Sequence, residues 1–255
     1  MATVFLVRHG RTKANATGIL AGWSPGVVLD DEGVQQAERT AARLAAVPLH
    51  TVVTSPLERT IQTADAVVAA QAASGRLPVC RVDDRLGECH YGEWTGRALK
   101  DLAREPLWRV VQEHPSAAVF PGGESMREMQ HRAITAVREL SSESDALAIA
   151  VVSHGDVIKA ILADALGMHL DAFQRIVIDP CSVSVIRYTE RRPFVLRTND
   201  TTGDLQSFAP PAKDPKPGRR LSGFARRARG RSDGQASGRR SILDASDAAV
   251  GGGSG

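Results

Sequence analysis

Short apolar runs recur along the first 190 residues at 3–7 (TVFLV), 51–54 (TVVT), 79–82 (VCRV), 147–152 (LAIAVV) and 183–186 (VSVI), each bounded by polar or turn residues. Runs of this length, with Val and Ile in them, predict buried strands. Between them the apolar positions recur at helical spacing. One such segment, EGVQQAERTAARLAA, follows Asp30 and Asp31, which can cap it; the others are LERTIQTADAVVAAQAA, ESMREMQHRAITAVRELSS and GDVIKAILADALGM. Strands that are apolar throughout and alternate with helices predict an α/β fold: a three-layer α/β/α arrangement around a mainly parallel sheet. No repeat at a solenoid period is visible.

The pattern stops near residue 204. Residues 205–255 are rich in Pro, Gly, Ser and Arg and carry a net charge of +6, against −3 for residues 1–204. Such a composition predicts a folded domain over 1–204 and a disordered basic tail over 205–255. Within that tail the run GRRLSGFARRARGR, residues 218–231, suits weak contact with a polyanion, nucleic acid or anionic lipid, or else a solvated extension.

Composition narrows the classes further. A chain of 255 residues that is 42% hydrophobic has material for one sizeable core. The cysteines, Cys80, Cys89 and Cys181, are odd in number and far apart with no CxxC pair, which argues against a disulfide framework or a zinc site. No stretch approaches the roughly 20 apolar residues that span a bilayer. The opening MATVFLV lacks the regions of a signal peptide, so the expectation is a cytoplasmic protein without a transmembrane segment. Oligomeric state is not indicated.

In a sheet of this kind ligands sit at the carboxyl ends of the strands. FLVRHGRT places Arg8, His9 and Gly10 there, and AVVSHGD places His154 and Gly155 at the start of a helix. TVVTSPLERT ends its strand at Ser55 and brings Arg59 into the next helical turn. Two histidines and two arginines therefore converge on one sheet edge. Guanidinium forks match phosphate oxygens, and a neutral imidazole can attack phosphorus. Phosphoryl transfer rests on positioning and charge neutralisation, which these groups could supply with neither metal nor cofactor. The leaving alkoxide needs a proton; Glu88, in RLGECHYGEWTG, is the candidate acid, with Glu93 as its competitor.

Together RHGRTKAN, SPLERTIQTA, GECHYGEWTG, PGGES and VSHGD, in this order, resemble the motif set of the histidine phosphatase superfamily, the phosphoglycerate-mutase-like fold, over about residues 3–190. The resemblance implies that His9 is the phosphorylated nucleophile, that Arg8, Arg59 and His154 surround the phosphate, that Glu88 is the proton donor and that Asn15 belongs to the phosphate pocket. Gly10 would let the backbone approach the phosphate closely. The implied partner is a small-molecule phosphomonoester. Cofactor-dependent mutases of this family carry a long insertion over the site, whereas here 35 residues separate Glu88 from Glu124. An open pocket admits water, so the resemblance favours a metal-independent phosphatase. Phosphoglycerate mutase is the alternative, and a non-catalytic phospholigand-binding protein the second. His50, His90, His114, His131 and His169 read as structural or surface residues. Trp23, Tyr91 and Trp94 suit either the pocket mouth or the core.

Overall fold

The structure, a computed structural model, describes residues 1–143 and 147–210. In chain order the elements are β1 (Ala2–Arg8), α1 (Lys13–Thr17), α2 (Asp31–Leu44), β2 (Thr51–Thr54), α3 (Glu58–Ala73), β3 (Val79–Val82), α4 (Leu99–Leu102), α5 (Pro106–Glu113), α6 (Met126–Ser142), β4 (Leu147–Ser153), α7 (Gly155–Ala165), β5 (Val183–Tyr188) and β6 (Pro193–Asp200). The six strands form one sheet in the order β3-β2-β4-β1-β5-β6. The first four are parallel, and β5 and β6 are added antiparallel.

Successive side chains of a strand point to opposite faces, so a strand apolar throughout feeds two cores at once. In β1, Val4 and Leu6 join Ile149, Val151 and Ile186 beneath α6 and α7. Phe5 and Val7 join Val52, Ala150, Val152 and Val185 on the other face, beneath α2 and α3. This is the expected α/β/α layering. The helices start on local signals: Asp30 caps α2 by accepting from Gly33 N–H, and Ser125 and Glu128 form a reciprocal capping box at α6.

Three features depart from the sequence reading. Strand β6 was not expected, because PFVLRTND offers only three consecutive apolar residues; it is held by pairing with β5 at the sheet edge, where burial of both faces is not required. All four residues of β3 are exposed, since it forms the opposite edge. The packed chain also continues past 204: Leu205 is buried, and Phe208 and Ala209 pack on the same cluster as β5. Apolar contacts at those residues outweigh the Pro/Gly-rich composition that begins just after them. The remainder of the expected tail, including the basic run 218–231, lies outside the described residues.

The parallel register places the functional strand ends side by side. Arg8 is paired with Ser153 and Thr54 with Val152. Beyond the strands, His9 N–H donates to Ser153 O at 3.0 Å and Ser55 N–H to Val152 O at 3.1 Å. The segment after β1 then passes tightly over the start of α2. A Cβ on Gly10 would fall 2.5 Å from Gly33 O, and one on Gly33 would overlap Arg11 O. Gly33→Ala should therefore lower stability by roughly 1–3 kcal/mol through overpacking and reduce turnover by displacing His9. Thermal melts of the two proteins check this, and an unchanged melting temperature would show that the two segments separate freely.

Candidate active site

His9 is buried, and its Nδ1 lies 2.7 Å from Gly10 O. A carbonyl oxygen only accepts, so Nδ1 must carry the proton and Nε2 is left with its lone pair. Burial first, then the charges of Arg59 and Arg8, holds the imidazole pKa well below its usual range. At neutral pH His9 is thus an unprotonated base in a defined tautomer, which is the state required for attack on phosphorus.

Arg8 uses Nη1 to donate to Ile178 O at 2.6 Å, and Arg59 uses Nη2 to donate to Gly22 O at 2.8 Å. Arg8 Nε and Arg59 Nη1 are buried and have no hydrogen-bond partner among the described residues. Arg59 is 2% exposed, and burial lowers its pKa despite the nearby Glu88. Guanidinium donors removed from water and left unpaired are costly unless an anion takes them up.

His154 completes the group. Its ring lies 5.2 Å from that of His9, centroid to centroid, and its Nε2 is 2.8 Å from Ser55 Oγ. Ser55 Oγ also accepts from Leu57 N–H at 3.4 Å and can give its own hydroxyl proton to Nε2. Nδ1, buried and unpaired among the described residues, then becomes the donor, 3.9 Å from Glu88 Oε2. Burial, with Arg59, His9 and Arg8, keeps this histidine neutral as well.

Glu88 Oε1 accepts from Cys89 N–H at 3.0 Å. Burial, reinforced by Asp156, pushes the Glu88 carboxyl up to about 7, while Arg59 pulls in the other direction. A carboxyl raised this far can hold a proton near neutral pH and give it to a leaving group. Asp156 accepts from Tyr91 OH at 2.8 Å and lies 3.5 Å from Lys159 Nζ. These groups line a cleft of about 510 Å³ whose outer wall includes Ile19, Leu20 and Leu99.

The chain matches the description "Histidine phosphatase superfamily (branch 1)" over residues 4–201. It belongs to that superfamily. It is 31% identical over 205 residues to "Phosphoserine phosphatase 1" of Hydrogenobacter thermophilus, covering 79% of this chain and 93% of that protein. It is 32% identical over 222 residues to "Probable phosphoglycerate mutase GpmB" of Cronobacter sakazakii, covering 84% and 98%. Among solved structures, Bacillus stearothermophilus YhfR superposes with a TM-score of 0.73 at 28% identity, covering 79% of this chain and 98% of that one.

Within this histidine phosphatase fold, the sequence-predicted residues Arg8, His9, Arg59 and Glu88 all line the one cleft, with His154 directly behind His9. Asn15 lines it too; its amide oxygen accepts from Thr12 N–H and Oγ1–H, leaving the NH₂ donors for the pocket. Gly10 has contacts within the fold as well. Its N–H donates to Thr63 Oγ1 at 3.1 Å, so it is not available to a phosphate, and its missing side chain makes room for Gly33 instead. Glu93 is exposed, outside the cleft lining, and does not compete with Glu88.

Of the aromatics, Tyr91 lines the cleft, and Trp94 in the core stacks on Trp108 and meets Phe120 edge-on. Trp23 donates from Nε1 to Glu88 O at 2.6 Å. Sequence reasoning missed the roles of Ser55, Asp156 and Lys159. The first two stood inside quoted motifs, but only the fold shows what they touch.

A carboxyl raised from its usual 4.5 to about 7 destabilises the fold as pH rises, since between those values the folded protein keeps a proton that the unfolded chain has released. Above that window the cost is roughly 3 kcal/mol. Glu88→Gln keeps the shape and removes the charge, so it should raise the melting temperature by several degrees at pH 8 and little at pH 5. Equal melting temperatures at pH 8 would show that Glu88 is not strained by burial.

Proposed function

We propose that this protein is a metal-independent phosphomonoesterase acting on a small phosphorylated metabolite through a phosphohistidine at His9. The observation that carries this reading is the lone pair left on His9 Nε2 together with the buried donors Arg8 Nε, Arg59 Nη1 and His154 Nδ1, unpaired among the described residues. These donors suit the equatorial oxygens of a phosphoryl group in flight. His9 Nε2 forms the N–P bond as the ester P–O bond breaks, and Glu88 gives its proton to the departing alkoxide. The positive charge on the phosphorylated ring is eased by the Nδ1–H bond to Gly10 O. Glu88, now a carboxylate, takes a proton from water as its oxygen attacks phosphorus; the N–P bond breaks, and inorganic phosphate and neutral His9 are restored.

Hydrolysis is preferred over mutase chemistry because the connection from Glu88 to Glu124 packs down on the core. Leu102 and Val111 are buried, Trp108 stacks on Trp94, and Leu99 lines the cleft wall. With this connection on the core, water can reach the phosphohistidine. The phosphatase and mutase names of the two curated relatives match the two fates of one such intermediate, and a paired assay on phosphomonoesters and 3-phosphoglycerate separates them.

His9→Ala should abolish release of phosphate from p-nitrophenyl phosphate while leaving phosphate binding in place, because the arginines remain. Acid-labile, base-stable phosphate should be trapped on the wild-type chain and not on the variant. Substantial residual turnover in His9→Ala would refute the mechanism. With alkyl phosphates, kcat/KM should fall on the alkaline side near pH 7, where Glu88 loses its proton. Chelators should not inhibit.

A further inference from the structure

Glu88 stands on irregular chain between 3-10 turns at Asp84–Leu86 and Gly92–Trp94, so its own loop supplies little rigidity. One side chain of α6 holds that loop. Arg132 Nη1 donates to Arg85 O at 2.7 Å and to Gly87 O at 2.8 Å, and Nη2 donates to Glu88 O at 2.9 Å. The same guanidinium makes a two-pronged pair with Glu124, Nε to Oε2 at 3.0 Å and Nη2 to Oε1 at 2.6 Å. Glu124 Oε1 in turn accepts from His90 N–H at 2.9 Å. The pair is largely withdrawn from solvent, with side-chain exposures of 19% and 14%.

We propose that Arg132, backed by Glu124, is a positioning residue for phosphoryl transfer, fixing the Glu88–Cys89 peptide so that the acid presents Oε2 to the leaving oxygen. The inference rests on the reading of Glu88 as the acid. Because Cys89 N–H donates to Glu88 Oε1, which is then the better placed as the carbonyl oxygen, the acidic proton is favoured on Oε2, the oxygen nearer His154. The direction of Cys89 N–H is set by the plane of that peptide. Its carbonyl is held by Arg132 Nη2 and by Trp23 Nε1. If the peptide rotates, Oε1 is released and the carboxyl can swing between its two oxygens. A planar fork reaches three carbonyls and a carboxylate at once, which a lysine ammonium on a flexible stem cannot do. Buried ion pairs of this kind add little net stability over apolar packing, so geometry is the better account of its presence.

The test compares the full-length wild type, Glu88→Gln, Arg132→Ala and Arg132→Lys on two substrates. β-Glycerophosphate has an alkoxide leaving group that needs a proton, and p-nitrophenolate leaves without one. Glu88→Gln and Arg132→Ala should each lose about 100-fold in kcat/KM on β-glycerophosphate and less than about tenfold on p-nitrophenyl phosphate. Arg132→Lys should show the same split. Guanidinium ion at non-denaturing concentration should restore part of the Arg132→Ala loss, and Arg132→Ala added to Glu88→Gln should cost little more. If Arg132→Ala does not fold, Arg132→Lys and Glu124→Gln carry the comparison. Equal losses on both substrates in the Arg132 variants, with the split intact in Glu88→Gln, would overturn this inference alone. Absence of the split in Glu88→Gln itself would overturn the acid assignment and this inference with it.

Discussion

The site depends on one alignment, the parallel register in which Arg8 stands beside Ser153 and His9 N–H closes on Ser153 O. A shift of one residue would send Arg8 to the opposite face and bring Val7 to its place. Because both faces of β1 are packed, such a shift would also exchange Phe5 and Val7 with Val4 and Leu6 between two cores of different shape. The hydrophobic layers thereby fix the distance between two histidines that are 145 residues apart in sequence. β2 extends the same alignment, so that Ser55 meets His154 and α3 delivers Arg59.

That alignment gathers groups that water would otherwise solvate. Two guanidiniums with N–H groups unpaired among the described residues, two imidazoles and a carboxyl share a buried floor, where both imidazoles and Arg59 are shifted down and Glu88 up. Burial first, with the arginine charges beside it, holds both imidazoles neutral. In the proposed reaction one of those is the nucleophile and the other a donor. Burial and Asp156 outweigh the arginines at Glu88 and keep its proton on. The donors left unsatisfied among the described residues suit a phosphate dianion, as the proposed reaction requires.

Much of this could be read in the chain. The strand ends carrying Arg8-His9 and Ser153-His154 follow from apolar runs that stop abruptly at polar residues, and sheet topology then brings them together. What escaped was of two kinds. Strand β6 is held by pairing with β5 and α4 is a single turn, so their local pattern is weak, and α5, although amphipathic, is only eight residues long. Gly10 was visible as a glycine, but which neighbour its missing side chain admits depends on α2, more than 20 residues away. The partners of Glu88 lie in elements as distant as Trp23 and Arg132, and no spacing rule links them to it.

The division between Glu88 and Asp156 shows how one cleft keeps an acid beside an anion. Asp156 has its charge compensated by Tyr91 OH and the Lys159 ammonium, which Gln174 anchors at 3.0 Å. Glu88 has one amide donor on Oε1 and, on Oε2, the imidazole of a neutral histidine 3.9 Å away. Burial first, and then the field of Asp156, raises the proton affinity of Glu88.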